Sequence, residues 1–181
     1  MSAITNQPTN INFLSPLNFK FTIKKTPTTN YFVKAINLPE VGFMGTEIPT
    51  PFVKLSFPST ALTYGILRLQ FGVDEDMKNY LEIHNWLVGM GFPDNFDQYK
   101  DLVDGDPKIG RNKRIPSGSG VFSDATLMVL TSSKNPNLEI TFVDLFPISL
   151  SQLVFDTTNS DVQYLDAVAN FRYRKYNITK L

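Results

Sequence analysis

Apolar and polar side chains alternate along several segments of this chain, and the alternation predicts β-strands. Over residues 17–24, Leu, Phe, Phe and Ile alternate with Asn, Lys, Thr and Lys, which is typical of a half-buried strand. A "PTTN" turn and a second apolar run over 31–38 follow, so we expect a hairpin here. The segment 64–73 predicts a further strand with one apolar face, formed by Leu67, Leu69, Phe71 and Val73.

The spacing of apolar residues changes after Asp74 and predicts one amphipathic helix over 75–90. Asp74 is a suitable N-cap, Gly91 is a suitable residue just past the helix end, and Pro93 is a stop. The apolar stripe at three- and four-residue spacing consists of Met77, Tyr80, Leu81, His84, Leu87 and Val88.

The second half of the chain returns to strand patterns. Segments 121–132 and 138–146 flank an Asn-Pro-Asn turn and predict a second hairpin. Segment 162–176 predicts one long final strand, with Leu165, Ala167, Ala169, Phe171 and Tyr173 on one face and Asp166, Val168, Asn170, Arg172 and Arg174 on the other. The fold class that follows is mainly β (α+β): an antiparallel β-sandwich or barrel with one flanking α-helix.

Composition sets the domain organisation and excludes several classes of function. We expect a polar N-terminal arm over 1–16 and a single domain over 17–181, which contains a long polar loop over about 94–120. The formal net charge is zero and no long Lys/Arg run occurs, which argues against tight binding to the outside of a nucleic acid. The absence of cysteine excludes disulfides and thiolate metal sites. The first residues do not resemble a signal peptide, and no apolar run approaches the roughly 20 residues that span a bilayer, so we expect a soluble product without membrane insertion.

The segment 39–60 is both proline-rich and apolar. Prolines are poor in central strands, so we expect a long excursion with short edge-strand pieces. Its apolar residues need burial that a monomer does not provide, and a neighbouring subunit is the simplest place for it. These residues are Val41, Phe43, Met44, Ile48, Phe52, Val53, Leu55 and Phe57.

No catalytic, metal or cofactor site emerges from the motifs. His84 is the single histidine, and no Ser or Cys nucleophile motif accompanies it, so a packing or interface role is favoured. Asp74 to Asp76 are explained by helix capping. Asp101, Asp104 and Asp106 lack the ligand spacing and closing Glu of a calcium loop.

Two further features, a basic cluster and the single tryptophan, give only weak indications of function. Arg111, Lys113 and Arg114 form a small basic cluster that is better explained by solvent or a protein partner than by DNA, and the nearby "SGSG" lacks the Lys of a phosphate loop. Trp86 fits an interface anchor and a core residue equally well.

The order of the elements and the residues at their joints resemble the tail tube proteins of contractile, T4-like bacteriophages. The matching pieces are Leu38-Pro39, the "IPTPF" of 48–52, the strand-to-helix segment 69–87, "LEITFVDLFPISLSQLVFD" of 138–156 and the final strand. The similarity covers roughly residues 17–178, and the architecture recurs in type VI secretion tubes.

The resemblance implies a structural protein of the virion tail, assembled in the host cytoplasm, and not an enzyme. It implies a homo-hexameric ring whose sheets join into a β-barrel around a channel for double-stranded DNA, with stacked tube rings, the tail sheath and baseplate hub proteins as partners. The segment 39–60 would contact the adjacent ring. We expect Phe43, Met44, Ile48, Phe52 and Phe57 in that contact. We expect Arg172 and Arg174 at a subunit interface or balanced by Asp144 or Asp166.

Two alternatives remain open at this point. The long loop over 94–120 and the arm over 1–16 are additions to a minimal tube subunit, and they suit a junction protein present as a single ring, such as a tube initiator, a baseplate hub adaptor or a terminator. A more distant alternative is a β-sandwich module that binds carbohydrate or peptide. That module would be a monomer with exposed aromatic residues, and it leaves the segment 39–60 unexplained.

Overall fold

A computed structural model describes residues 12–91, 96–104, 120–158 and 164–181. The elements in chain order are β1 (Phe19–Ile23), a 3₁₀ turn (Thr29–Tyr31), β2 (Val33–Ile36), β3 (Val41–Pro49), β4 (Lys54–Tyr64), β5 (Leu67–Gly72), α1 (Lys78–Gly91), α2 (Asp97–Asp104), β6 (Ser123–Leu130), β7 (Pro136–Leu150), β8 (Asp166–Arg172) and β9 (Lys175–Lys180).

Seven of the described strands form one antiparallel sheet around the long strand β7. The order is β1-β6-β7-β8-β5-β2, and β9 pairs with β7 beside this path. The first part of β7 pairs with β6 and β9, whereas the part from Phe146 onward pairs with β8. Between the two parts, Asp144 has a φ of 57°, and its carboxylate accepts a contact from Arg174 Nε at 3.2 Å. The register of β7 with β6 shifts at the same place, between Phe142 and Leu145, so Asp144 lies in a β-bulge.

One hydrophobic core joins both parts of the sheet to α1. The inward faces predicted for β5 and β8 are buried, which confirms them, whereas Leu17 of the first predicted strand is exposed. Trp86 of α1 is also fully buried, lies against Phe171 and donates its Nε1–H to the Val121 carbonyl at 2.8 Å. The core holds Phe21, Ile23, Leu67, Leu69, Phe71, Ile83, Trp86, Ala125, Leu127, Ile140, Phe142, Leu145, Ala167, Ala169, Phe171 and Tyr173.

The predicted hairpin of the first two strands is wrong. β1 pairs with β6, and β2 pairs with β5, while the predicted β6–β7 hairpin is confirmed. The cause is the 3₁₀ turn between β1 and β2, which is tied to α1 and diverts the chain. Buried Thr29 donates its hydroxyl to the Asn79 carbonyl at 3.3 Å, and the Glu82 carboxylate accepts the Thr29 N–H at 3.4 Å.

The predicted long final strand is two strands. β8 ends at Arg172 and pairs with β5 and β7, whereas β9 begins at Lys175 and pairs with β7 alone. Between the two strands, the Arg174 N–H donates to the Val143 carbonyl at 3.0 Å, next to Asp144. The final segment therefore follows β7 in one antiparallel register here, with Arg172 opposite Phe146 and Lys175 opposite Val143, and is interrupted only at residues 173–174.

Helix α1 begins three residues later than predicted and buries a different stripe. Met77 has a φ of 55° and separates the acidic residues from the helix. The Asp74 carboxylate accepts the Asn79 N–H at 3.2 Å, and the fully buried Asn79 side chain donates to the Gly72 carbonyl at 2.7 Å. The buried residues of α1 are Asn79, Ile83, Trp86 and Gly89, whereas Leu81 and His84 of the predicted stripe are exposed.

The segment predicted to be a loop over 94–120 contains helix α2, and its residues 94–95 and 105–119 lie outside the described set. A Cβ atom on Gly89 would lie 3.0 Å from the Cβ of Leu102, so the two helices approach closely at this glycine. Val103 is buried beneath Gly120. The N-terminal arm is described only from residue 12 onward.

The predicted fold class is confirmed as mostly antiparallel β-sheet with one main helix. The sheet does not close into a barrel, since β1 and β2 end its path among the described strands. In the described ranges, neither helix is long and apolar enough to cross a membrane.

We expect that Gly120→Ala lowers the free energy of unfolding by about 1–3 kcal/mol. Gly120 has a φ of 84°, and an added Cβ would lie 2.8 Å from the Val103 Cα, so both the backbone and the packing oppose a side chain. Urea denaturation measures the change. Gly45→Ala is the matched control, because its Cβ would have no described heavy atom within 4 Å. Equal stability of the two variants would contradict the prediction.

Candidate assembly surface

The β3–β4 hairpin stands apart from the seven-stranded sheet. Among the described strands, β3 and β4 pair only with each other, from Val41 opposite Tyr64 to Pro49 opposite Lys54. The segment expected to form short edge-strand pieces is therefore one long two-stranded ribbon. Such a ribbon is marginally stable alone in water, so it needs support from other surfaces.

The residues expected to form the contact between rings lie on this hairpin and are exposed. The exposed fractions are 63% for Phe43, 47% for Ile48, 98% for Phe52 and 50% for Phe57. Met44 lies on β3, but its side chain is outside the described set. Several exposed, large apolar side chains on one hairpin are typical of a protein–protein contact.

Apolar side chains occupy both faces of the ribbon. Phe43 lies opposite Leu62, and Ile48 lies opposite Leu55. Residues paired across two strands share a face, whereas residues an odd number of positions apart along a strand fall on opposite faces. Phe43 and Ile48 therefore present apolar groups on the two different faces of β3.

The tip of the hairpin is a closed turn that displays an aromatic ring. The Thr50 N–H donates to the Val53 carbonyl at 3.3 Å, and the Val53 N–H donates to the Thr50 hydroxyl at 3.2 Å. Phe52 lies between them, and the Glu47–Lys54 ion pair at 3.2 Å flanks the turn. The turn holds Phe52 outward, where a partner can cover it.

The root of the hairpin rests on a cluster of aromatic rings. The Tyr64 ring lies 5.8 Å from the Tyr173 ring and 5.5 Å from the Tyr176 ring, measured between centroids. Phe142 completes the cluster at 5.1 Å from Tyr173. The Tyr176 hydroxyl donates to the carbonyl of the buried Pro39 at 3.3 Å. We call Tyr64, Phe142, Tyr173 and Tyr176 the root cluster.

The Tyr173 hydroxyl is buried and has no hydrogen-bond partner among the described residues. Burial, together with the nearby Tyr176 and Tyr64, raises the pKa of Tyr173 to about 12. A buried hydroxyl without a partner is costly, so the packing of this ring against its neighbours outweighs that cost.

Arg172 is the last residue of β8 and is exposed. Of the two arginines expected at an interface or beside Asp144 or Asp166, Arg174 binds Asp144 at 3.2 Å, whereas Asp166 binds Lys34 at 2.5 Å. The structure therefore gives Arg174 one of the expected carboxylate partners and leaves an interface role for Arg172 as a prediction.

The described residues contain no group of three or more His, Asp or Glu side chains that could hold a metal ion. His84 is exposed, and Trp86, for which interface and core were both open, lies in the core. Asp101 and Asp104 lie on α2, but their side chains are outside the described set. Asp106, Arg111, Lys113 and Arg114 also fall outside the described residues.

Sequence reasoning missed the root cluster. Its members come from β4, β7, the residue after β8, and β9, so they are far apart in the chain. The only available signal was the high aromatic content, which indicates aromatic packing without indicating which rings meet.

We expect Tyr173→Phe to alter the dependence of stability on pH. The hydroxyl stays protonated in the folded protein up to a pKa of about 12, but loses its proton near pH 10 when the chain unfolds. The free energy of unfolding therefore falls as pH rises from about 10 to about 12, and this contribution is constant below pH 10. The variant lacks this part of the decline.

The measurement is urea denaturation at several pH values, read as the difference between the wild type and the variant, because other tyrosines and lysines titrate in the same range. Tyr31→Phe is the control, since Tyr31 is 88% exposed. A difference that does not change between pH 9 and pH 12 would contradict the assignment.

No family model matches the chain, and no curated protein matches it by sequence. Solved structures do match. The tube-terminating cap of the anti-feeding prophage aligns over 100% of both chains, with a TM-score of 0.60 and 12% identity. A sheath/tube terminator of the extracellular contractile injection system PVC aligns over 94% of this chain and 99% of its own, with a TM-score of 0.55 and 14% identity.

A sheath–tube complex of the same PVC system supplies a third match, which covers 100% of this chain and 99% of the other, with a TM-score of 0.53 and 12% identity. These neighbours are structural components and are not described as enzymes. At identities of 12–14%, these structural alignments show that the fold is shared. The chain has the tube-like fold of contractile injection systems, in agreement with the resemblance found in the sequence.

Proposed function

We propose that this protein is a structural subunit of a contractile tail, which forms a hexameric ring of the tail tube. The observation that carries the proposal is the exposed apolar β3–β4 hairpin on a domain with the tube-like fold. A free monomer gains nothing from exposing Phe43, Ile48, Phe52 and Phe57, whereas an adjacent ring would bury them. Burying one such side chain contributes about 1.5–3 kcal/mol.

Within a ring, the open ends of the sheet would pair with neighbouring subunits. β1 and β2 end the path of the described sheet and carry backbone groups available to another strand. Because these two edges differ, a contact between them is head-to-tail, and such contacts close rings when the rotation closes. This arrangement would join the sheets of six subunits around a channel.

The channel would carry double-stranded DNA during ejection, with the tail sheath outside the tube and the hub of the baseplate at its end. The assembled tail of the virion, built in the host cytoplasm, is the proposed location. The zero formal net charge suits a wall along which DNA slides without tight binding.

A single-ring terminator or other junction protein is the second candidate. Two of the three structures reported above are named as a tube-terminating cap and a terminator, and these have the higher TM-scores of 0.60 and 0.55. A terminator must stop growth on one side, whereas a tube subunit must stack without limit. The two candidates therefore differ in the length of the polymer.

Electron microscopy of the purified protein at high concentration tests the function. Long tubes of constant width support the tube subunit, and isolated six-fold rings support the junction protein. Monomers alone at every concentration, even with added sheath and baseplate proteins, would count against both and would favour the ligand-binding module.

We expect Phe52→Ser to weaken stacking between rings without lowering the stability of the subunit. Phe52 is 98% exposed, so its loss removes little packing within the monomer. In a tube, the lost burial would raise the critical concentration at least about tenfold. Sedimentation measures this critical concentration, with assembled tubes as the pelleted species, or stacked rings if no tubes form.

Tyr31→Ser is the matched control, because Tyr31 is 88% exposed and lies outside the hairpin. The hairpin contact would be wrong if Phe52→Ser assembled like the wild type, or if both variants lost assembly equally.

We expect Arg172→Glu to impair ring formation. The substitution reverses a charge on an exposed position of β8, and like charges facing each other across an interface are unfavourable. Size-exclusion chromatography with light scattering measures the fraction of hexamer. Lys180→Glu is the control for the same change of net charge at an exposed position of β9. Normal rings from Arg172→Glu would remove this residue from the interface.

A further inference from the structure

The hairpin continues a ribbon that begins inside the sheet. β2 pairs with β5, with Ile36 opposite Leu69. Beyond them, the Asn37 side chain donates to the Ile66 carbonyl at 3.0 Å and accepts the Arg68 N–H at 2.5 Å. β3 and β4 then extend the same two chain segments away from the sheet. The hairpin is thus the outer part of the β2–β5 ribbon.

The ribbon is interrupted where it leaves the sheet. Pro39 has no N–H to donate, which removes one rung of the ladder. The next backbone bond is the Gly65 N–H to the Glu40 carbonyl at 2.9 Å. A Cβ on Gly65 would lie 2.9 Å from the Glu40 Cγ, so the two segments cross closely here. The Asn37 N–H also donates to the Arg68 carbonyl at 3.3 Å, so backbone pairing is interrupted only around Pro39, and we call this point the hinge.

The root cluster bridges this hinge from the side. Tyr176 belongs to β9, which is paired with β7, and it contacts both chain segments that lead into the hairpin. Its hydroxyl binds the Pro39 carbonyl ahead of β3, and its ring lies 5.5 Å from the ring of Tyr64, the last residue of β4. Tyr173, the residue after β8, packs against Tyr64 at 5.8 Å.

We propose that the root cluster is a latch, which fixes the angle between the β3–β4 hairpin and the sheet in the free subunit. When the latch opens, the hairpin swings about Pro39 and Gly65 while its own strand pairing persists. The latch is a property of the monomer and does not depend on the proposed function. It determines where Phe52, at the far end of the ribbon, is presented.

The test is a distance distribution between two spin labels in dilute, monomeric protein. The chain has no cysteine, so two introduced cysteines are the only labelled sites. Ser56→Cys places one label on the exposed outer part of β4, and Lys20→Cys places the other on the exposed side of β1. The latch predicts a single narrow distribution in the otherwise wild-type chain.

Two variants open the latch in different ways. Tyr64→Leu removes the ring on the hairpin side, and Tyr176→Phe removes only the hydrogen bond to Pro39. We expect both to broaden the distribution, with the larger effect in Tyr64→Leu. Tyr173→Phe is the matched control, because it removes a hydroxyl without a partner among the described residues and keeps the ring. We expect it to leave the distribution narrow.

Folding of each variant is checked separately, by hydrogen exchange of the β1–β6 amides, because neither strand contains a residue of the root cluster. Broadening in either latch variant with unchanged β1–β6 protection supports the latch. A wild-type distribution that is already broad, or folded variants that all remain narrow, would overturn it. If Tyr64→Leu does not fold, Tyr176→Phe decides, and a narrow distribution in that variant counts against the latch.

Discussion

The large sheet depends on β7, because β6, β8 and β9 all pair with it. Its backbone is irregular at Asp144, where φ is 57° and the register with β6 shifts. A left-handed backbone conformation at a non-glycine residue is uncommon and needs support from its surroundings. Here the support is Arg174, whose side chain binds the Asp144 carboxylate and whose N–H binds the Val143 carbonyl. Tyr173 and Tyr176 flank this arginine and its neighbour in the chain, so the same contact helps to position the root cluster.

The sequence predicted the parts of the fold that depend on local alternation. The inward residues of β5 and β8, the β6–β7 hairpin and the end of α1 at Gly91 follow from patterns within a few residues. The partner of each strand was harder to predict from the sequence. β1 pairs with β6, about a hundred residues later in the chain, and nothing within β1 encodes that choice. The turn sequence after β1 suggested a hairpin, but the contacts of Thr29 with α1 overrode it.

Helix α1 shows a different reason for failure. Hydrophobic spacing assigned Leu81 and His84 to the buried stripe, whereas the structure buries Asn79. A buried amide is acceptable only when its polar atoms are bonded, as they are here to Gly72 and Asp74. Such compensation depends on tertiary neighbours. The exposure of the hairpin could be predicted from its unsatisfied apolar residues, whereas its aromatic support could not.

The prolines of the hairpin have a consequence for the subunit before it meets a partner. Pro49 and Pro58 lie within the paired strands and Pro51 lies in the turn, and each lacks the N–H that a further strand would need. The ribbon is therefore adhesive through the side chains on its faces but a poor template along its edges. This combination favours association by side-chain packing, which requires a surface of matching shape, over the indiscriminate strand-by-strand growth of a fibre. A newly made subunit can thus carry an uncovered apolar arm at high concentration and still remain selective about what it joins.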